Sequence, residues 1–309
     1  MMAINNAVEN RDQAKPRKKR SQWLGVWRRL KKNPIGMVGL FIIVLLIVTA
    51  IFADIIAPPV YNEGFQQYFP AYMNQNLLAR NSFPGDGYLW GADHLGRDIF
   101  ARVVHGARTS LMIGSVVVSI SLVVGVALGT IAGYYGGFAD GFIMRMVDII
   151  MAIPNILLAI SIVAALGPGL LNVMIAVGVG AIPGFARQVR SSVISLREQE
   201  FIEAARSIGA SDMRIMFRHI LPNCTAPIIV RATMGMAVAI LSAAALSFIG
   251  LGIEPPIPEW GAMLSEGRRF IRDHWPSTVF PGLAIALVVF GLNMLGDGLR
   301  DALDPRLKQ

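Results

Sequence analysis

Chemistry needs side chains that ligate, attack or carry protons, and this chain offers few of them. The single cysteine, Cys224, cannot form an intramolecular disulfide and reads as a small buried residue rather than a reactive thiol. The four histidines, His94, His105, His219 and His274, stand at no metal-ligand spacing, so no metal site is expected. The pattern G-x-x-x-x-G-K-S/T is missing, and with it the P-loop that cradles a nucleotide phosphate; G-x-S-x-G, H-E-x-x-H and C-x-x-C are missing too. No catalytic residue is assigned, and the chain is not read as an enzyme. What remains is charge in unusual places. Glu198, Glu200 and Glu203 cluster beside Phe201, Ile202, Ala204 and Ala205. Arg145 and Asp148 are three residues apart, within pairing reach on one helix. Arg231 lies near the end of an apolar run, where its side chain can snorkel toward water.

These groups must be held by an apolar framework. Of 309 residues, 54% are hydrophobic and only 16% charged, against roughly 25% charged in soluble domains. The mean hydropathy is +0.54 and the pI near 10.0. That basicity could suggest nucleic acid, but ten of the 28 Lys and Arg lie in the first 32 positions, ahead of the first apolar run. A membrane protein with a basic tail explains this, and no nucleic-acid partner is expected.

A membrane-crossing helix needs about 20 mostly apolar residues. Ile35–Ala53 supplies span one. Its uncharged run and the 34 residues before it argue for a retained anchor over a cleaved signal peptide. Thr109–Ala139 supplies span two, with a glycine-rich exit at Gly133, Gly136 and Gly137. Ile149–Ala186, uncharged for 38 residues, is too long for one helix and breaks at Gly167-Pro168-Gly169 into spans three and four. Ala232–Ile253, starting near Pro227, and Ser277–Gly296 supply spans five and six. The 31 glycines lie largely inside these runs, where small residues let helix backbones approach closely. With the N-terminus inside, inner segments carry nineteen Lys and Arg and the outer ones six, so both termini are expected in the cytoplasm. Trp23, Trp27 and Leu30 share one face of a short helix before span one, which suits either a helix in the lipid headgroup layer or a plain topology signal. The expected layout is a basic tail over 1–34, a first span over 35–57, an outer segment over 58–106, a five-span core over 107–298 and an inner C-terminus over 299–309.

The most informative stretch is the inner loop, 187–222. It reads as two helical segments, Arg187–Ser207 and Ser211–His219, separated by Gly209 and stopped at Pro222, with Ser211 as a cap and Arg214 and Arg218 on the second segment. Ile208, Met213 and Met216 are expected at its surface, and an apolar tip of this kind must dock into something.

Glu203-Ala204-Ala205, then Gly209, then Leu221-Pro222 resemble the EAA loop of permease subunits of ABC importers, whose pattern is E-A-A, three residues, G, nine residues, I-x-L-P. Every spacing matches, with His219 in the isoleucine position; His219-Ile220-Leu221-Pro222-Asn223 is typical of the peptide and nickel branch. Gly91-Ala92-Asp93-His94-Leu95-Gly96-Arg97-Asp98, Gly106-Ala107-Arg108-Thr109-Ser110-Leu111, Leu246-Ser247-Phe248-Ile249-Gly250-Leu251-Gly252 and Pro258-Glu259-Trp260-Gly261 look like the C-type permease of dipeptide and oligopeptide importers. The resemblance runs from about residue 20 to 309, and the segment 58–89 departs from it.

The resemblance implies an all-α chain with six transmembrane helices and the type I ABC importer permease fold, in a bacterial cytoplasmic membrane. It implies a sister peptide permease, two P-loop ATPases that bind ATP and Mg, an extracytoplasmic peptide-binding protein and surrounding lipid, with no cofactor held by this chain. Glu203 would pair with an ATPase cation, Ala204 and Ala205 would allow close approach, Gly209 would permit the turn, and Arg214, His219, Leu221 and Pro222 would complete the coupling loop. Arg97, Asp98 and Arg102 would orient span two or meet a partner outside. Nickel, glutathione or antimicrobial-peptide transport fits the same family. A stand-alone channel or carrier is more remote, because carriers place acidic or His groups near the bilayer midplane and these runs have none.

Overall fold

The computed structural model describes residues 22–62, 67–85 and 87–304. Most of the basic tail, with six of its Lys and Arg, and the last five residues lie outside the described residues, as does the side chain of Trp23. The helices are α1 (Gln22–Leu30), α2 (Pro34–Ile51), α3 (Ile99–Tyr135), α4 (Gly137–Ala152), α5 (Asn155–Leu166), α6 (Leu170–Arg197), α7 (Glu200–Ser207), α8 (Thr225–Phe248), α9 (Trp260–Gly267) and α10 (Pro276–Leu303). Five helical stretches are long and apolar enough to cross a membrane, and counting the bent α4–α5 pair as one span brings the number to six among the described residues.

The start of α2 follows from Asn33, whose side chain accepts the Gly36 amide at 3.0 Å, and from Pro34 in the first turn. Helix α1 leans on α10: Leu30 is buried beside Gly36 and Gly298, and Arg29 donates to the Asp304 carbonyl. Trp27 is exposed, so Trp27 and Leu30 serve different surroundings.

Three sequence expectations change. Helix α3 begins at Ile99, well before the uncharged run at Thr109, because Arg102, His105 and Arg108 find partners inside the protein. At 37 residues it is about 55 Å long, more than a bilayer core requires. Gly133 is not an exit; α3 continues to Tyr135 and the turn is made by Gly136 and Gly137, with φ of +67° and +51°. Span three starts at Gly137 rather than Ile149, and bends by 89° at Ile153-Pro154. Proline forbids the helical hydrogen bond there and pushes the preceding Ile153 into extended backbone. The tight turn at Gly167-Pro168-Gly169 is where the sequence puts it.

The glycines act as expected in packing. Gly125, Gly129 and Gly133 recur every four residues on α3 against α6; a β-carbon on Gly129 would stand 2.4 Å from the Ala186 carbonyl oxygen. Gly39 and Gly291 do the same between α2 and α10. One buried cluster joins α2, α3, α8, α9 and α10, and another joins α3, α5, α6 and α8. The segment before α3 adds one departure from an all-helical chain, an antiparallel pair of short strands, β1 (Val60–Asn62) and β2 (Gln67–Phe69).

Candidate functional site

The loop between α6 and α8 folds onto its own core. Tyr134, Val189, Val193, Ile202, Ala205, Ile215, Met216, Ile220 and Cys224 form one buried cluster, so Cys224 is the buried small residue its sequence context suggests. Helix α6 stops at Arg197 and α7 starts at Glu200, which divides the expected continuous helix Arg187–Ser207 in two. Gly209 turns the chain at φ +80°. Ser211 occupies the cap position in extended backbone, yet its side chain makes no capping bond. Pro222 does not end the second segment: Asp212–Arg214, Ile215–Ile220 and Leu221–Cys224 run on as successive helical turns into α8. Proline fits there because it opens the new turn, where its missing donor costs nothing.

The sequence-named loop residues split by direction. Glu203, Ala204, Gly209, Arg214 and Pro222 are exposed, His219 and Leu221 are half-buried, and Ala205 faces the loop's own core. Ala205 therefore offers no outward contact; it sits one residue round the helix from Ala204. Ile208 and Met213 are at the surface, whereas Met216 is only 4% exposed against 59% for Met213. Phe201 and Phe217 complete the exposed apolar patch. Two groups the sequence did not single out fasten this unit to the spans. The Tyr134 hydroxyl donates to Asp212 Oδ1 at 2.6 Å, and Arg206 lies 5.4 Å from the Tyr134 ring centre. Arg197 donates to the carbonyls of Gly133 and Tyr134. A tyrosine closing an apolar run next to a charged loop is the signal that could have found Tyr134.

Arg145 and Asp148 do not pair. Asp148 binds Arg187 and Asp140 binds Arg190, so both carboxylates tie α4 to α6. Residues on neighbouring helices outcompete the same-helix partner because α4 lies along α6 at this point. Arg231 lines a groove of about 250 Å³ between α3, α5, α6 and α8, together with Ser121, Asn155 and Ser242. Small polar groups isolated in apolar helices are the signal in the sequence that could have found this groove.

At the opposite end of the bundle, Arg97 and Arg102 are buried, not offered to a partner. Arg97 binds Asp93 at 2.7 Å and Glu266 at 2.6 Å; Arg102 binds the same two carboxylates at 2.8 and 3.1 Å. Burial alone would raise the Asp93 pKa, but Arg102 and Arg97, with two backbone amides, hold it below the usual value. Asp98 caps α3, accepting the Phe100 amide at 2.8 Å. Trp260 donates to the Val103 carbonyl at 3.0 Å, which pins α9 to the same turn. These residues orient α3. Asp93, His94 and Glu266 bring ligand-type atoms close together, but both carboxylates are already neutralised by two guanidinium groups.

A family model described as "Binding-protein-dependent transport system inner membrane component" matches residues 125–309. A second, "N-terminal TM domain of oligopeptide transport permease C", matches residues 21–79, so most of the segment 58–89 belongs to the family pattern after all. The chain is 51% identical over 288 residues to the dipeptide transport system permease protein of Alkalihalophilus pseudofirmus, covering 93% of this chain and 91% of that protein. It is 50% identical over 294 residues to the glutathione transport system permease protein of Escherichia coli O157:H7, covering 95% and 94%. The fold is similar to that of the inward-facing MetNI methionine ABC transporter, with a TM-score of 0.55 at 20% identity, over 67% of this chain and 98% of that one.

Proposed function

Because this chain belongs to the family of binding-protein-dependent transport system inner membrane components, we propose that it is one permease half of an ATP-driven importer of dipeptides and short oligopeptides. The observation that carries this reading is the loop face: an acidic helix with Glu203 and Ala204 turned outward, set on a buried core that is bolted to α3 through Tyr134 and Asp212. A membrane chain without a P-loop must draw free energy from partners, and two ATPases binding ATP and Mg would supply it at this face. Their closure would push α7 as a lever, and the rigid link to α3 would carry the push into the spans. A sister permease would complete the path and an extracytoplasmic binding protein would deliver the peptide. The positive-inside bias supports cytoplasmic termini in a bacterial inner membrane.

Glutathione, itself a short peptide, is the second reading, supported by the 50% identical relative. The test is purification of the tagged chain from its own mildly solubilised membranes, followed by uptake of labelled dipeptide against competing glutathione. Co-purifying ATPases and a second permease, with dipeptide uptake that glutathione does not compete, are the expected results. A chain that purifies alone would overturn the importer reading, and complete competition by glutathione would favour the second cargo.

A further inference from the structure

Arg231 stands where two grooves meet. The first, among α3, α5, α6 and α8, holds Ser121, Asn155 and Ser242 in an otherwise apolar wall. The second, of about 450 Å³, lies toward α10 and is lined by Gln188, Pro227, Arg300 and Asp304, the last a carboxylate next to the cations. Arg231 and Met234 line both. The guanidinium rests against the α6 backbone at Gly184, where a β-carbon would come within 1.9 Å of Nη2. Its Cζ lies 5.9 Å from the centre of the Phe185 ring. Glycine is thus what leaves room for the charge in this position.

The nearby cations of α6 are paired, whereas Arg231, like Arg300, forms no salt bridge with any described residue. Arg187 and Arg190, one and two turns further along α6 from Gly184, bind Asp148 and Asp140. Among the described residues no carboxylate forms a salt bridge with Arg231. Arg231 is exposed, open to the grooves, and charged groups of membrane-spanning helices that face a cavity mark the path of a charged cargo. The planar fork matches a carboxylate in two parallel hydrogen bonds. Every unmodified peptide carries one such group at its C-terminus.

We infer that Arg231 is the carboxylate-reading residue of this half of the pathway, receiving the peptide's C-terminal carboxylate as it leaves the first groove and releasing it into the second, toward Arg300. The inference rests on the peptide-importer reading. Because delivery to the membrane is the binding protein's task, Arg231 sets the maximal rate and not the concentration at half-saturation.

The test uses the complete complex in proteoliposomes, with saturating binding protein and labelled Ala-Ala, Ala-Lys and the C-terminal amide of Ala-Ala as cargo. Arg231→Gln is expected to lower maximal uptake of the two free-carboxylate peptides about tenfold with half-saturation changed by less than about twofold, and to leave the slower uptake of the amide nearly unchanged. Arg231→Lys, which keeps the charge, is expected to recover most of the rate. Gly184→Ala, which displaces the guanidinium without removing it, should fall between them. Normal uptake by Arg231→Gln overturns the inference and leaves the importer reading standing. So does an equal loss for all three cargoes that lysine fails to rescue, since that would mark a steric role. Failure of Arg231→Gln to assemble with its sister permease, while Arg231→Lys assembles, also overturns it, because the charge would then pair between subunits. A wild-type complex that moves none of the peptides overturns the peptide reading and the inference with it.

Discussion

At one end of the bundle Arg97 and Arg102 are 3% and 1% exposed and share Asp93 and Glu266 between them. At the other, Glu198, Glu200, Glu203 and Arg214 stand at the surface and form no ion pair with any described residue. The residue types are alike and the roles are opposite. The closed end spends its charges on itself: two guanidinium groups and two carboxylates neutralise each other and hold α9 against the start of α3. The open end keeps its charges unspent on a helix whose other face is a firm apolar core. A charge satisfied within the chain fixes geometry, whereas a charge left exposed on a rigid mount can take a partner.

Removing one member of the closed network should give the largest effect. Arg102→Ala leaves Asp93 and Glu266 short of a buried counter-charge, and the expected loss of stability is about 3–5 kcal/mol. Arg214→Ala at the open end should cost less than about 0.5 kcal/mol. Thermal unfolding of the two variants in detergent checks the contrast, and equal shifts would erase it. Tyr134→Phe comes next. It deletes the hydroxyl that holds Asp212, at about 1 kcal/mol, and should loosen the loop from α3, so that less peptide enters per ATP hydrolysed by the assembled complex. Unchanged stoichiometry would mean that the link to α3 is not the lever. Glu203→Lys should be nearly silent in unfolding, within about 0.5 kcal/mol, yet, if the proposed coupling face is right, should cut uptake sharply, because it would reverse the charge offered there to the ATPases. A variant that transports normally would remove Glu203 from the coupling face.

Span positions could be read from the sequence because hydropathy is local: an uncharged run either reaches bilayer length or does not. The turn at Gly167-Pro168-Gly169 and the general use of in-span glycines for close helix packing were legible for the same reason, being set by residue type, whereas the pairing of Gly129 with α6 came from the fold. The 89° bend at Ile153-Pro154 was hidden inside one continuous apolar run, where a proline that breaks a span and one that kinks it look alike. The inward turn of Ala205 and Met216 depends on which side of the loop meets Tyr134, Val189 and Val193, residues tens of positions away. Pairing was the least legible feature. Spacing made Arg145 the natural partner of Asp148, and only the packing of α4 along α6 gives that carboxylate to Arg187. The same limit made Arg97 and Arg102 look available to a partner, since Glu266 lies far along the chain.

The smallest expected effect tests how tightly the closed end is sealed. Burial depresses the pKa of His94 below its ordinary 6.5; Asp93 and Glu266 pull it back up, and Arg97 and Arg102 push it down. A histidine whose folded pKa lies below its unfolded value binds protons better when unfolded. Its contribution to stability is therefore complete above pH 6.5 and declines as the pH falls from there toward the folded pKa. The Asp93 carboxylate has the same sign in a lower window: its pKa is depressed below 3.8, so its contribution holds above that value and is lost only in stronger acid. Unfolding midpoints at pH 7.5 and 5.5 bracket that window, and because Asp98 and Glu259, whose pKa values burial raises, titrate in both proteins, comparison with His94→Gln isolates His94. On going to the lower pH the wild type should lose slightly more stability than His94→Gln, which cannot titrate there. The difference should be small because His94 is only half-buried and solvent screens much of the charge. If the two proteins respond alike, His94 is as well solvated folded as unfolded, and the seal around Asp93 and Glu266 stops short of it.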